Sequence, residues 1–198
     1  KQQIITLGVP FVIGYAASDG AELWRVEGLN GEVTPSPLFA GGLVLAVSPS
    51  EKLFAIRPDG QGDVTKTHVL WTTEDNIPDI TSPAGTRELV FTLSSGGMLT
   101  CYDTKDGKKQ WEHDFEMDCH ASPSVAGDRL YVVGTKGAVI VMEAGRQFKQ
   151  LARTEMGESF SASPAFASNR IFLRGLQHLY CVGAKDEKLA KNLEAARP

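Results

Sequence analysis

The stretch SPSVAGDRLYVVGTKGAVIVMEAG, Ser122–Gly145, decides the fold. Ser122-Pro123 opens a short run that turns at Asp128-Arg129. RLYVV follows, then a turn at Lys136-Gly137, then AVIVM. The runs are rich in β-branched and aromatic residues, have strand length and are bounded by Gly, Asp or Ser, which is the pattern of consecutive antiparallel strands. Outward along the chain the same texture recurs in IITLG, FVIGYA, LVLAV, LVFTL, RIFLRG and HLYCVG, and helical periodicity is absent until the last residues.

The stretch is one unit of a repeat. Ser-Pro recurs at Ser36, Ser82, Ser122 and Ser163, with spacings of 46, 40 and 41. Trp24, Trp71 and Trp111 follow at 47 and 40. LFAI, LTCY, VIVM and LYCV start at Leu53, Leu99, Val139 and Leu179, at 46, 40 and 40. Three independent markers share one phase. Four short strands in about 40 residues are the signature of a β-propeller blade. A sheet this small buries its faces only by stacking on a neighbour, and the unbroken apolar runs fit sheets covered on both sides. The fold class expected is therefore all-β, a β-propeller of four-stranded antiparallel blades, with units near 1–34, 35–80, 81–120, 121–161 and 162–183. Three units are complete and the two outer ones partial. The expectation is a partial ring, the C-terminal portion of a larger propeller. The alternatives are a four-bladed ring closed by joining the end pieces, or two chains completing one ring as a homodimer. The extra residues of the second unit, DGQGDVTKTH from Asp59 to His68, lengthen one hairpin and are expected to extend into solvent. The tail 184–198, with Leu189 and Leu193 one helical turn apart, reads as a short helix or a disordered end.

Bulk properties exclude several classes. With a net charge of −4 and no long Lys/Arg run, the chain lacks the basic face that nucleic acid requires. No apolar stretch approaches the roughly 20 residues of a membrane-spanning helix. The three cysteines, Cys101, Cys119 and Cys181, form no CxxC and no even-numbered framework. Cys101 and Cys181 hold the same repeat position two units apart, too distant to bridge, and read as small core residues. There is no GxSxG and no phosphate loop.

CYDTKDGKKQW, Cys101–Trp111, resembles the AxDxxTGxxxW docking motif of pyrroloquinoline-quinone-like (PQQ-like) β-propeller repeats, with Asp103, Gly107 and Trp111 at its Asp, Gly and Trp. YAASDGAELW matches at Gly20 and Trp24 but carries Ala16 where Asp is usual, and the second unit keeps Trp71. The resemblance covers residues 1–183 and implies that Gly makes a turn while Trp packs between blades. It extends to bacterial PQQ-binding-like propeller proteins, which implies an exported protein, periplasmic or on the cell surface. It does not bring a cofactor with it. Quinoprotein dehydrogenases of this fold carry adjacent cysteines and a Trp beneath the quinone, and here no two cysteines are adjacent and every Trp is at a docking position.

The segments before each Ser-Pro are expected at the mouth of the central channel. They bring Asp79, Cys119, His120 and Phe160 to one rim, a candidate site for a small ligand or metal. The competing reading is ordinary lining of a wet channel. Cys119 and His120, being adjacent, point to opposite faces, which counts against joint ligation. Asp59, Gln61 and Asp63 alternate as calcium ligands sometimes do, without the acidic residue that completes an EF-hand. His68, His113 and His178 read as surface residues. No catalytic constellation is expected. The chain reads as a non-catalytic module that binds or scaffolds a protein or small ligand at a ring face, the alternative being the C-terminal segment of a quinone- or metal-dependent oxidoreductase that uses PQQ or calcium.

Overall fold

The computed structural model describes residues 2–183, so the 184–198 tail lies outside the described residues. Among the described residues nineteen strands make five sheets. Sheet 1 holds β1 (Gln3–Gly8), β2 (Phe11–Ala16) and β3 (Glu22–Glu27). Sheet 2 holds β4 (Leu38–Ala40), β5 (Leu43–Ser48), β6 (Lys52–Ile56) and β8 (Val69–Thr73), whereas the two-residue β7 (Gly62–Asp63), which lies between β6 and β8 in the chain, is the fourth strand of sheet 1. Sheet 3 runs through β9 (Ala84–Gly85), β10 (Leu89–Leu93), β11 (Met98–Asp103) and β12 (Lys109–Asp114). Sheet 4 has β13 (Ser124–Ala126), β14 (Arg129–Val133), β15 (Ala138–Glu143) and β16 (Gln150–Glu155). Sheet 5 has β17 (Ala165–Ala167), β18 (Arg170–Arg174) and β19 (Leu179–Gly183). Within the repeat, neighbours pair antiparallel in sequence order. This is the blade meander.

Register assigns each strand its place in the repeat. Gly14 pairs with Trp24, Ala55 with Trp71 and Cys101 with Trp111, so β2, β6 and β11 are equivalent third strands. Sheet 1 therefore has second, third and fourth strands, and sheet 5 has first, second and third. The two end sheets are separate and each carries its own second and third strands. Joining them into one composite blade would duplicate both, so the four-bladed closure does not hold. A β-bulge recurs beside the Trp-paired position, at Gly14/Tyr15, Ala55/Ile56, Cys101/Tyr102 and Val141/Met142, and bends each outer hairpin alike.

The sheets stack face to face, and the core lies between them. The face of sheet 3 towards sheet 4 carries Phe91, Leu93, Leu99 and Cys101, all 0% exposed, against Leu130, Val132, Ile140 and Met142. Sheet 2 sets Leu45, Val47, Leu53 and Ala55 against Val90 and Tyr102 of sheet 3. Each Leu or Phe so buried contributes about 1.5–3 kcal/mol. Both faces of an inner sheet are covered, which is why LVLAVS is buried at every position instead of alternating.

Two polar devices set the stacking register. The first explains Ser-Pro. The Ser36 N–H donates to the Ser82 hydroxyl, Ser82 N–H to Ser122 and Ser122 N–H to Ser163, each at 2.9 Å. Each rung joins one blade's inner-strand entry to the next, and the following Pro, having no N–H, makes no competing demand. The second is the tryptophan. Trp71 Nε1 donates to the Thr104 carbonyl and Trp111 Nε1 to the Gly145 carbonyl, both 2.9 Å away on the next blade's hairpin. Gly107 has φ +71°, and a Cβ there would lie 2.7 Å from the Trp71 ring, so glycine is needed for both the turn and the close approach. Asp103 accepts from the Lys105 N–H within its turn and from Arg146 Nη1 of the next blade at 2.6 Å.

The insertion in sheet 2 departs from expectation. It does not extend into solvent. Residues Gly62–Asp63 pair in parallel with Trp24 and Arg25 at the outer edge of sheet 1. The Val64 N–H donates to the Arg25 carbonyl, and the Glu27 N–H to the Thr65 hydroxyl. Val64 is buried at this seam. The inserted hairpin has thus replaced the docking turn that Trp24 would meet. Trp24 Nε1 donates instead to Gln3 Oε1, and Gln3 Nε2 donates to the Pro58 carbonyl, so one amide relays the inter-blade bond.

Replacing Ser122 with alanine removes the acceptor of one rung and should lower unfolding free energy by about 1 kcal/mol in chemical denaturation, with Ser124→Ala nearly neutral as the control. Gly107→Ala combines a left-handed backbone with a clash against Trp71 and should cost about 1–3 kcal/mol in the same assay.

Candidate functional site

The segments that link one blade to the next form a rim together with the turns between second and third strands. Main-chain bonds stitch them in sequence: Ser50 N–H to the Pro78 carbonyl, Cys119 N–H to Ser95, Thr135 N–H to Asp118, Phe160 N–H to Thr135 and Leu176 N–H to Ser159. Every linker is held between two turns, so neighbouring residues alternate between facing the protein and facing solvent.

That alternation sorts the candidate residues. Asp79, Cys119 and Phe160 occupy equivalent positions, three before Ser82, Ser122 and Ser163, and turn inward. Asp79 Oδ1 accepts from the Ser95 N–H at 2.9 Å and Oδ2 from the Ser95 hydroxyl at 2.5 Å. Burial pushes the Asp79 carboxyl up, but the hydrogen bonds from the Ser95 side chain and backbone outweigh it and hold the group below the usual range. Cys119 is fully buried, and burial, with the Asp118 charge behind it, pushes its thiol up to about 11. The thiol stays protonated at neutral pH and is a poor nucleophile or ligand. Phe160 is buried between sheets 4 and 5. His120, one residue on, faces solvent, as do its equivalents Thr34, Ile80 and Ser161. Three of the four candidates thus hold equivalent places on successive linkers, and His120 sits beside Cys119 on the opposite face. Among the described residues no group of three or more His, Cys, Asp and Glu side chains is arranged to hold a metal ion.

The Asp59-Gln61-Asp63 loop is engaged elsewhere. Asp63 Oδ1 caps the Thr65 N–H and hydroxyl, and Asp59 lies 3.4 Å from His68 and 3.6 Å from Arg57. Two histidines depart from the surface reading. His68 is half-buried, with its ring against the inserted hairpin at Gly60. His113 stacks on Phe148 of the next blade at 3.9 Å, beside Phe115 and Trp111. Cys101 is buried, whereas Cys181 at the same repeat position is exposed, so only the first is a core residue.

The rim carries a cleft of about 320 Å³ between sheets 3 and 4, lined by Glu116, Met117, Asp118, Lys136, Arg153 and Glu155 among others. These side chains come from a linker, a turn and an outer strand, so no local motif joins them and the sequence reading missed them. The signal available was the linker itself: Asp118 immediately precedes a residue already assigned to the rim. At the far end, the last turn is clamped from its linker. The Glu158 carboxylate accepts from the Gln177 N–H at 2.6 Å and meets His178 Nδ1 at 3.0 Å. The Tyr180 hydroxyl, then the Gln177 amide, hold the Glu158 carboxyl down to about 2.

Stacked four-stranded meanders with Ser and Trp rungs define the class: a β-propeller, here as an arc. Residues 62–148 match the family model described as outer membrane protein assembly factor BamB. Among solved structures the chain resembles BamB from Moraxella catarrhalis, with 17% identity and a TM-score of 0.69 over 91% of this chain and 54% of that one. It also resembles the C-terminal WD40 domain of Sif2, with 13% identity and a TM-score of 0.72 over 90% and 53%. The computationally designed Ika4 protein matches at 13% identity and 0.65, over 83% of this chain and 99% of that one. These likenesses are of fold. The chain spans about half the length of the BamB structure. No curated protein matches it significantly.

The Glu158 clamp gives a pH dependence. Because its folded pKa lies below the unfolded value, its contribution is full above about pH 4.5 and is lost as pH falls towards about 2. Hydrogen-exchange protection of the Gly175–His178 turn, measured against the intrinsic rate at each pH, should fall across that window in the parent protein. Glu158→Gln should show fast exchange already at neutral pH.

Proposed function

We propose that the chain is a non-catalytic binding or scaffolding module whose rim takes a segment of a partner protein. The observation that carries this reading is the cleft between sheets 3 and 4. It is open and rimmed by charges of both signs (Glu116, Asp118, Lys136, Arg153), and the exposed His120 lies two residues along the chain from Asp118. Such lining suits a polar peptide segment that brings complementary charges and displaces ordered water. Support from kinship is the match of residues 62–148 to an outer membrane protein assembly factor. The repeat's own polar groups add to it: the serines, tryptophans and Asp103 are engaged in holding blade to blade, which leaves the rim as the variable surface.

On this reading the site takes its partner without quinone or calcium, and the protein works in the periplasm or at the cell surface. Among the described residues no helix is long and apolar enough to cross a membrane. Completion of the ring by a second chain is part of the same proposal.

A photo-crosslinking side chain placed at His120 or Lys136 should join the protein to one defined envelope partner, and the same group at Thr154 on the outer strand should not. Reversing charge at Glu116 and Asp118 to lysine should abolish that crosslink while the melting temperature holds. Equal crosslinking from all three positions, or a melting temperature that rises with added quinone and calcium, would overturn the proposal.

A further inference from the structure

Asn30-Gly31 is the one Asn-Gly pair in the sequence. It lies in the linker between β3 and Ser36, and both residues are exposed. That exposure owes nothing to the ends of the arc, because the turns on either side of the linker are both in place. The Leu29 N–H donates to the Pro10 carbonyl of sheet 1, and the Asn30 N–H to the Ser48 hydroxyl of sheet 2 at 3.1 Å. Asn30 Nδ2 donates to Glu51 Oε2 at 3.0 Å, and the Ser48 hydroxyl donates to the same oxygen. The asparagine thus pins the linker to the turn Ser48–Glu51. The same turn gives the Ser50 N–H to the Pro78 carbonyl, a stitch of the rim.

The next linker supplies an internal comparison. Asn30 and Asn76 each stand six residues before the serine of their Ser-Pro, Ser36 and Ser82. Asn76 Nδ2 donates to Glu112 Oε2 at 2.8 Å, so both amides rest on a glutamate carboxylate. The residues that follow them differ. Ile77 is β-branched and packs against the core between sheets 2 and 3. Gly31 has φ +67° and open space where a Cβ would lie. Among the described residues its N–H has no acceptor. A main-chain nitrogen can attack the preceding side-chain amide when it is unhindered and free to swing, and glycine meets both conditions.

We propose that Asn30 is a site of spontaneous covalent ageing, where loss of the side-chain amide releases the first linker from sheet 2. The Gly31 nitrogen gives its proton to hydroxide and forms a bond to Asn30 Cγ. The Cγ–Nδ2 bond breaks, and Nδ2 takes a proton from water and leaves as ammonia. Water then opens the five-membered imide at either carbonyl, leaving aspartate or isoaspartate at position 30. One water is consumed and one ammonia released, and no oxidant or reductant is needed. Either product sets a carboxylate where Glu51 had a donor, and the two like charges repel. The Asn30 amide, ahead of the Ser48 hydroxyl, holds the Glu51 carboxyl below its usual range, so Glu51 loses its main support as well. Isoaspartate also adds one atom to the main chain of a linker fitted between two turns.

The test is peptide mapping by mass spectrometry after warm incubation of the folded 1–198 chain at mildly alkaline pH. Deamidation at Asn30 should outpace that at Asn76 by about tenfold or more. Hydrogen-exchange protection of the Ser50 amide should fall in step with it, because the turn that presents Ser50 has lost its tie to the linker. Asn30→Asp should show the same loss of protection without incubation. Asn30→Gln should suppress most of the ammonia released. Equal rates at Asn30 and Asn76 overturn the inference. So does a deamidated chain, or a folded Asn30→Asp variant, whose Ser50 amide stays as protected as in the parent. Neither failure touches the rim proposal, since the cleft lies between sheets 3 and 4.

Discussion

A serine N–H reaching a serine hydroxyl one blade away is the constraint on which the arc depends. Apolar stacking alone would let two twisted sheets slide, because area burial has no direction. The rungs at Ser36, Ser82, Ser122 and Ser163 fix the inner edge of each blade to the next at one height. The tryptophans do the same at the outer edge, where Trp71 and Trp111 reach the neighbouring hairpin. With both edges pinned, the intervening third strands meet the next sheet in one register only, and Leu53, Leu99 and Val139 take equivalent places in three separate core clusters. Polar bonds set position and apolar burial supplies most of the energy.

Sheet 1 shows how the constraint survives when a part is changed. Its tryptophan faces a neighbour whose docking turn has been replaced by a longer hairpin. The hairpin does not leave a gap. It returns as a parallel strand on β3, buries Val64, and lets Gln3 carry the bond from Trp24 to Pro58. The indole N–H of a buried tryptophan needs an acceptor, and an amide side chain with both a donor and an acceptor can stand between two groups too far apart to bond. Insertion is tolerated where the loop can find a backbone edge to pair with.

The architecture was legible because it is written several times. Ser-Pro, Trp and the third-strand run share one period, and each marks a contact that every blade must make. What lay beyond the sequence were the places where the copies differ. The docking of DGQGDVTKTH on sheet 1 depends on an edge presented by residues far away in the chain, so composition alone left it in solvent. His113 reads as a surface residue in the sequence because its partner, Phe148, comes from the next unit. Cys181 reads as core by analogy with Cys101, although burial belongs to a position only when a neighbour covers it. The opposed directions of Cys119 and His120 follow from strand geometry, but the cleft is assembled from three separate elements and has no motif to announce it.

The rim also explains how one scaffold separates folding from recognition. Its shape is set by main-chain bonds from Ser95, Thr135 and Pro78 that make no demand on side chains. The inward position of each linker fills a space between turns, with the Val33 side chain, a carboxylate capped by Ser95, a buried thiol and a phenyl ring in turn. The outward position is free. Across four linkers it holds Thr34, Ile80, His120 and Ser161, four different chemistries on one backbone geometry. A surface that keeps its shape while its side chains vary can change partner without disturbing the stack beneath it. Recognition on this fold is then expected to reside where the repeat is least regular, and stability where it is most regular.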